Sequence, residues 1–332
     1  MERISHGFLG KFKTYQIPVP QVKKKTTEER FAALKEGMQP WGFDPNKLVR
    51  LGGFAGSTPT PPEPIPVQAE YQTILDRGTA LGYELPSSTE QERQNRLVYD
   101  LKQANLWTLF RGLYVFDNDT TSGNFQGINW AVPSQGVRTP AVYTSAGYTD
   151  PAIFRAGKGW EFNEGNYMQV PGPVAADVPT SGYTMGIWQN KIISVNPSTA
   201  GSYHFGYKSA PPRYGLNLST TNNHKQPDLK NTIPVSSYPM TSAGFQMVGN
   251  TGNTATNGVV FFTNGAGETY YNGITFTSVV GVDMQINVGS VGTTSNNGSN
   301  FISSGYWVMT RGLDATERNS IKTIFSNYWT TS

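Results

Sequence analysis

The period of the apolar positions changes along the chain, and each change marks an element. From Val67 to Phe110 the period is helical. Val67, Tyr71, Ile74, Leu75 and Leu81 predict one helix that stops near Gly82; Leu97, Val98, Leu101 and Ala104 predict a second, closed by Trp107, Leu109 and Phe110. Pro86 precedes Ser87, whose hydroxyl is placed to cap the second helix, and Glu90 three residues on completes a capping box. Such a hairpin has to lay its apolar face on a neighbour.

From Leu113 the pattern becomes one of short extended runs. LYVF, FQGINW, AVYT, GWEFN, YMQV, TMGIW, KIISV, SYHFGY, YGLNL, GFQMVG, GVVFFT, ETYYNG, SVVGV, MQINVG and GYWVMT are rich in aromatic and β-branched residues and are separated by Gly, Asn, Ser or Pro. Their number and their spacing of roughly ten residues predict a mainly β body, an antiparallel two-sheet sandwich of jelly-roll type. No internal repeat favours a propeller. Within it, Asn264-Gly265 and Asn272-Gly273 predict tight hairpin turns.

At the end of the chain, Ile302, Tyr306, Val308 and Thr310 fall on one face of an extended run, with Trp307 and Met309 on the other. Both faces call for burial, as in an inner strand. After Gly312 the period turns helical again: Asp314 and Glu317 form a capping box, and Ile321, Ile324, Phe325 and Tyr328 recur at core spacing. A last core strand therefore runs into one amphipathic helix that lies back across the body.

The front of the chain has no such order. Residues 1–66 hold one short helix candidate starting at Thr26, with Glu29 three residues on and Phe31 and Leu34 on one side, then a proline-rich stretch that enforces extension. Phe8, Phe12, Tyr15, Phe31, Trp41, Phe43 and Phe54 are scattered over it, and a segment so poor in pattern cannot bury them alone. They are expected to be anchors in another protein's groove. The division is thus 1–66 as an extended anchoring segment, 67–112 as a helical hairpin packed on the sandwich, and 113–332 as the sandwich with its C-terminal helix.

Composition narrows the chemistry. Cys is absent, so neither disulfides nor thiolate metal sites contribute, and His6, His204 and His224 are too few for a His-rich zinc site. No segment approaches the length of an apolar membrane span, and no membrane partner is expected. Up to Arg50 there are ten Lys and Arg against five Asp and Glu, so the front end is basic and the body nearly neutral. The run Lys23 to Lys25 lacks interleaved aromatics and is a weak nucleic-acid signal, better read as a solvated turn.

Two stretches carry a resemblance. Asn300 to Trp329, with RGLDATERNSIKTIFSNY after a strand, resembles the closing segment of concanavalin A-like, laminin-G-like sandwich domains. The stretch from Tyr71 to Asp119, with FQGINWAVP after it, is similar to a segment of structural proteins of tailed phages, particularly those of Bacteroidota hosts, where it precedes such a sandwich. The resemblance implies a virion protein assembled in a bacterial cytoplasm: a tail fibre, baseplate appendage, head fibre or capsid decoration, with fibre or appendage favoured. Residues 1–66 would contact other virion proteins, whether capsid, portal, tail or baseplate, and the subunit is expected to be a homo-oligomer. A purely architectural protein with no host ligand is the alternative, and a polysaccharide-degrading enzyme a more distant one.

Candidate sites are sparse. Tyr203, Tyr207 and Tyr214 with Asn222, Asn223 and His224 combine aromatic faces and amides in the way a host-surface glycan site does. Asp117 and Asp119, in a D-N-D cluster after a strand, are weak calcium candidates, since the glycine and terminal glutamate of an EF-hand loop are missing. Neither a G-x-S-x-G elbow nor a close pair of strand carboxylates is present, so no catalytic residue, no cofactor and no enzymatic activity are expected.

Overall fold

The structure is a computed structural model. It describes residues 65–142, 149–163, 165–172, 182–193, 243–250 and 300–330 with their side chains. Residues 194, 202–206, 215–218, 223–225, 238–239, 259–263, 267–271 and 284–288 are described as backbone, with the side chain of Ile286. Residues 64–332 form one compact unit. The predicted helix at Thr26 and the turn residues Asn264, Gly265, Asn272 and Gly273 lie outside the described residues.

The fold is mainly β, with antiparallel sheets and a few helices. Helices α1 (Ala69–Ala80) and α2 (Ser88–Gln103) form the hairpin, and β1 (Phe110–Val115) follows a short 3-10 turn at Trp107–Leu109. After β2 (Pro140–Val142), β3 (Ile153–Arg155), β4 (Gly159–Phe162) and β5 (Asn166–Val170) comes the long β6 (Thr184–Ser194). Then follow β7 (Ser202–Gly206), β8 (Gly215–Leu218), β9 (Asn223–Lys225), β10 (Tyr238–Pro239), β11 (Gly244–Asn250), β12 (Val259–Thr263), β13 (Gly267–Tyr271) and β14 (Met284–Val288). The chain closes with β15 (Asn300–Met309) and α3 (Ala315–Thr330).

Two sheets result. The larger runs β13-β12-β11-β6-β15-β4-β3, with β1 also paired to β15; the smaller runs β10-β9-β8-β7-β14-β5-β2. Strand β15 is the centre of the first sheet. Along one side it pairs with β6, and along the other with β4 near its start and β1 near its end. Both of its faces are buried, as the pattern predicted. Trp307 and Met309 join a core under the helices with Trp188, Phe245, Met247, Ile321, Phe325 and Trp329. Tyr306, Val308 and Phe301 join the core between the sheets, with Met185, Ile187, Val248, Met168, Val170 and Ile286. Among the described residues this unit is a helical layer on one sheet of a sandwich.

The centre of the outer core is aromatic. Trp307 lies 5.1 Å from Phe245 in a stacked pair and 4.7 Å from Phe325, and Trp329 stacks on Trp188 at 5.3 Å. Gly186 sits beneath Trp307 on the neighbouring strand, where any Cβ would collide with the indole. That glycine is a condition for the ring to lie flat on the sheet.

Several sequence expectations are corrected. FQGINW is not a strand: Phe125–Gly127 is a 3-10 turn, and Phe125, Ile128 and Trp130 fill the space under the helices. The edge of β1 is instead covered by this segment, because the Asn129 carboxamide accepts the Leu113 N–H at 3.1 Å and donates to the Arg111 carbonyl, and the Trp130 N–H donates to the Leu113 carbonyl. A side-chain amide here does the work of a strand. TMGIW and KIISV are one strand, β6. Val67 precedes α1 and is exposed. Ile302 does not share the inter-sheet face of Tyr306; Phe301 does, because register shifts between Ile302 and Gly305 change the alternation by one.

The helix ends follow their caps. At α3 the Asp314 carboxylate accepts the Glu317 N–H at 2.9 Å, and the Glu317 carboxylate accepts the Asp314 N–H at 3.0 Å, a complete capping box. At α2 the Ser87 hydroxyl accepts the Glu90 N–H, but the Ser87 N–H donates to Asp119 rather than to Glu90. Glu90 is engaged elsewhere.

Because Trp307 is fully buried against the rings of Phe245, Phe325 and Trp329, Trp307→Ala is expected to cost about 3–5 kcal/mol, the cavity cost of a buried aromatic. Urea unfolding measures it; a loss below about 1 kcal/mol would mean the ring does not fill the outer core.

Candidate functional site

A connected set of ionisable side chains joins the three helices to the loop after β1. Glu90 and Arg93 are one helical turn apart on α2 and form a bidentate pair, with both N–O distances 2.8 Å. Arg93 also donates to the backbone carbonyls of Tyr328 at 3.0 Å and Asp117 at 2.8 Å, and to the Asp117 carboxylate at 3.2 Å. Its guanidinium lies 4.0 Å above the Tyr328 ring. From α3 the Trp329 indole N–H donates to Asp117 at 2.9 Å, and the Tyr328 hydroxyl reaches Glu90 at 3.3 Å. From α1 the Tyr71 hydroxyl donates to Gln94, whose amide donates to Glu90. The hairpin, Asp117 two residues after β1 and the C-terminal end of α3 are thereby tied into one network.

The electrostatics follow from burial. Asp117 has no exposed surface, and desolvation pushes its pKa up to about 7, against the pull of Arg93 and with the repulsion of Glu90. Burial opposes the charge of Arg93, but the pairing with Glu90 and Asp117 and the Tyr328 ring beneath it outweigh that and hold the guanidinium protonated. Tyr328 and Tyr71 are held above the ordinary phenol range, chiefly by burial and then by the nearby carboxylates. Beside this network, the Asn118 side-chain oxygen accepts the Thr120 N–H and hydroxyl and the Gln126 amide, which fixes the loop after β1.

The calcium candidates are each committed to protein partners: Asp117 to Arg93 and Trp329, Asp119 to the Ser87 N–H at the start of α2. Among the described residues no group of three or more His, Cys, Asp or Glu is placed to hold a metal ion. What the network can do chemically is take up a proton near neutral pH and clamp α3.

The glycan candidates lie partly in view. Tyr203 is in β7, opposite Val288 of β14 and Asn217 of β8. Asn223 is opposite Pro239, and His224 opposite Leu218 and Tyr238. All three therefore belong to the smaller sheet, with Asn223 and His224 consecutive in β9. Tyr207, Tyr214 and Asn222 lie outside the described residues, as do Phe8, Phe12, Tyr15, Phe31, Trp41, Phe43 and Phe54.

Sequence reasoning missed Arg93, Tyr328 and Trp329 as a unit. The available signals were Glu90 and Arg93 at i,i+3 and Trp329 four residues beyond Phe325. Neither points across the 212 residues that separate Trp329 from Asp117.

No family model matches the chain, and no curated protein matches it. Solved structures similar to it include Trypanosoma rangeli sialidase in complex with sialic acid, with a TM-score of 0.43 and 12% identity, covering 70% of this chain and 38% of that one. The botulinum neurotoxin serotype D binding domain gives a TM-score of 0.45 and 10% identity, covering 68% and 52%. The chain thus spans well under two thirds of either, and no residue role is carried over. One expectation is corrected by them. The exclusion of enzymatic activity does not stand beside similar structures that include sialidases, among them a mutant displaying trans-sialidase activity.

Removing the shared cation strands two carboxylates. Arg93→Met is expected to lose about 3–5 kcal/mol at pH 8, and less near pH 5, where Asp117 takes a proton. Urea unfolding at both pH values checks it; equal losses at the two would mean that Asp117 carries no charge at pH 8.

Proposed function

We propose that this chain is a structural protein of a tailed-phage virion, a fibre or appendage subunit. Residues 1–66 dock into another virion protein, and the sandwich is the module displayed outward. Its resemblance to phage structural proteins between Tyr71 and Asp119 motivates the setting. The observation that carries the display role is the unequal treatment of the two sheets: the core residues of all three described helices fall in one cluster with the larger sheet.

On the smaller sheet, β5 alternates buried Asn166, Met168 and Val170 with partly exposed Tyr167 and exposed Gln169. Gln285 stands opposite Gln169, and Ala141 opposite Tyr167. An aromatic face beside amides is what a sugar needs, a ring to stack on and groups to bond its hydroxyls. Tyr203, Asn223 and His224 belong to the other end of the same sheet. Many tethered copies would turn a weak contact of this kind into firm attachment to a glycan-bearing surface.

Two measurements test the proposal. Particles assembled with a chain starting at residue 67 are expected to lack the protein, while particles with the full chain contain it; equal incorporation would refute the anchor. Full-length protein is expected to be retained on immobilised host-surface polysaccharide, with Tyr167→Ala lowering retention about tenfold. No retention by the wild type, or none lost in the variant, would remove the smaller sheet as the contact face.

A further inference from the structure

The charges of the helix-layer network are two negative and one positive. Glu90 and Asp117 share Arg93, and of the three it is Asp117 that has no exposed surface at all. The groups that face it come from each element packed there: Arg93 and Glu90 from α2, and Trp329 and Tyr328 from α3. Tyr71 of α1 reaches the same network through Gln94, and Asp119 of its own loop is turned to Ser87.

Neutralising Asp117 leaves almost every contact in place. Arg93 keeps its bidentate bond to Glu90 and its bonds to the Asp117 and Tyr328 carbonyls, and a neutral carboxyl still accepts the Trp329 N–H. What disappears is a charge with no access to water, the costliest member of the set. Trp329 and Tyr328 end the helix that covers Trp307 and Trp188, so whatever happens at Asp117 is felt at the lid of the outer core.

We propose that Asp117 is a proton-operated latch on the C-terminal helix, which grips the sheet more firmly with the carboxyl neutral than with it ionised. The sign follows from linkage. The folded state holds this proton up to about pH 7, whereas an unfolded aspartate releases it near pH 4. Between those values the folded state binds more protons, so its stability is greatest at the acid end, falls as pH rises and levels off above pH 7. The folding constant changes by up to about tenfold per pH unit in that window. Glu70 and Glu317, whose pKa values are lowered mainly by hydrogen bonds to Lys102 and Arg311, act oppositely but below the ordinary carboxylate range.

The test is urea unfolding of the full chain, followed by tryptophan fluorescence from pH 5.5 to 8.5, for wild type, Asp117→Asn and Glu90→Gln. The wild-type midpoint is expected to fall with rising pH up to about 7.5. Asp117→Asn is expected to lose that slope and to match or exceed the wild type at pH 8.5, and Glu90→Gln to move the fall to lower pH. A wild-type midpoint that is flat or rises, or an Asp117→Asn variant that keeps the slope, overturns the proposal. The Trp329 indole N–H resonance supplies a local readout that does not depend on the variant folding. Its shift is expected to titrate with a midpoint near 7 in the wild type, and a shift that is constant across the range also overturns the latch.

Discussion

Burial of β15 on both faces is the constraint from which the rest of the structure follows. A strand with one apolar face needs one partner layer; Tyr306 and Val308 on one side and Trp307 and Met309 on the other demand two. The second sheet meets the first demand. The helices meet the other, and this is why a chain whose body is a sandwich also carries a helical hairpin before it and a helix after it. Gly186 and Gly305 leave room for Trp307 and Trp329 to lie against the sheet, so the strand positions and the helix positions specify one another.

A helical lid of this kind has a weakness at its ends, and the polar network answers it. Apolar packing holds Ile321, Phe325 and Trp329 down but does not choose a register for α3. The Trp329 N–H on Asp117, the Tyr328 carbonyl on Arg93 and the Arg93 guanidinium over the Tyr328 ring do choose one. The cost is a buried carboxylate with a pKa raised to about 7. Local order and long-range order are thus carried by different forces: dispersion and desolvation for the strength, charge-assisted hydrogen bonds for the position.

Much of this was legible in the residues. The double-sided pattern at Tyr306 to Met309, the Asp314-Glu317 box and the Ser87 cap are local signals, and the structure realises each. The failures share a cause. FQGINW alternates as a strand does, yet the Asn129 amide bonds to β1 and frees Phe125 and Trp130 to enter the core, a choice that depends on a strand edge more than ten residues away. The face of Ile302 was misassigned because a register shift at Ser303 to Gly305 is set by the pairing with β6, which periodicity does not contain. The network around Asp117 joins α2 to residues more than two hundred positions later, and single residues such as Arg93 give no hint of it.

If the two-sided burial of β15 organises the molecule, its amides should open only when the whole domain unfolds. Native-state hydrogen exchange under increasing denaturant measures this directly. The backbone N–H groups of Phe301 to Met309 are expected to be among the slowest and to merge with the global unfolding isotherm, together with those of Met185 to Trp188. Exchange of Tyr306 to Met309 through a smaller, separate opening, while β5 and β14 stay protected, would contradict the account.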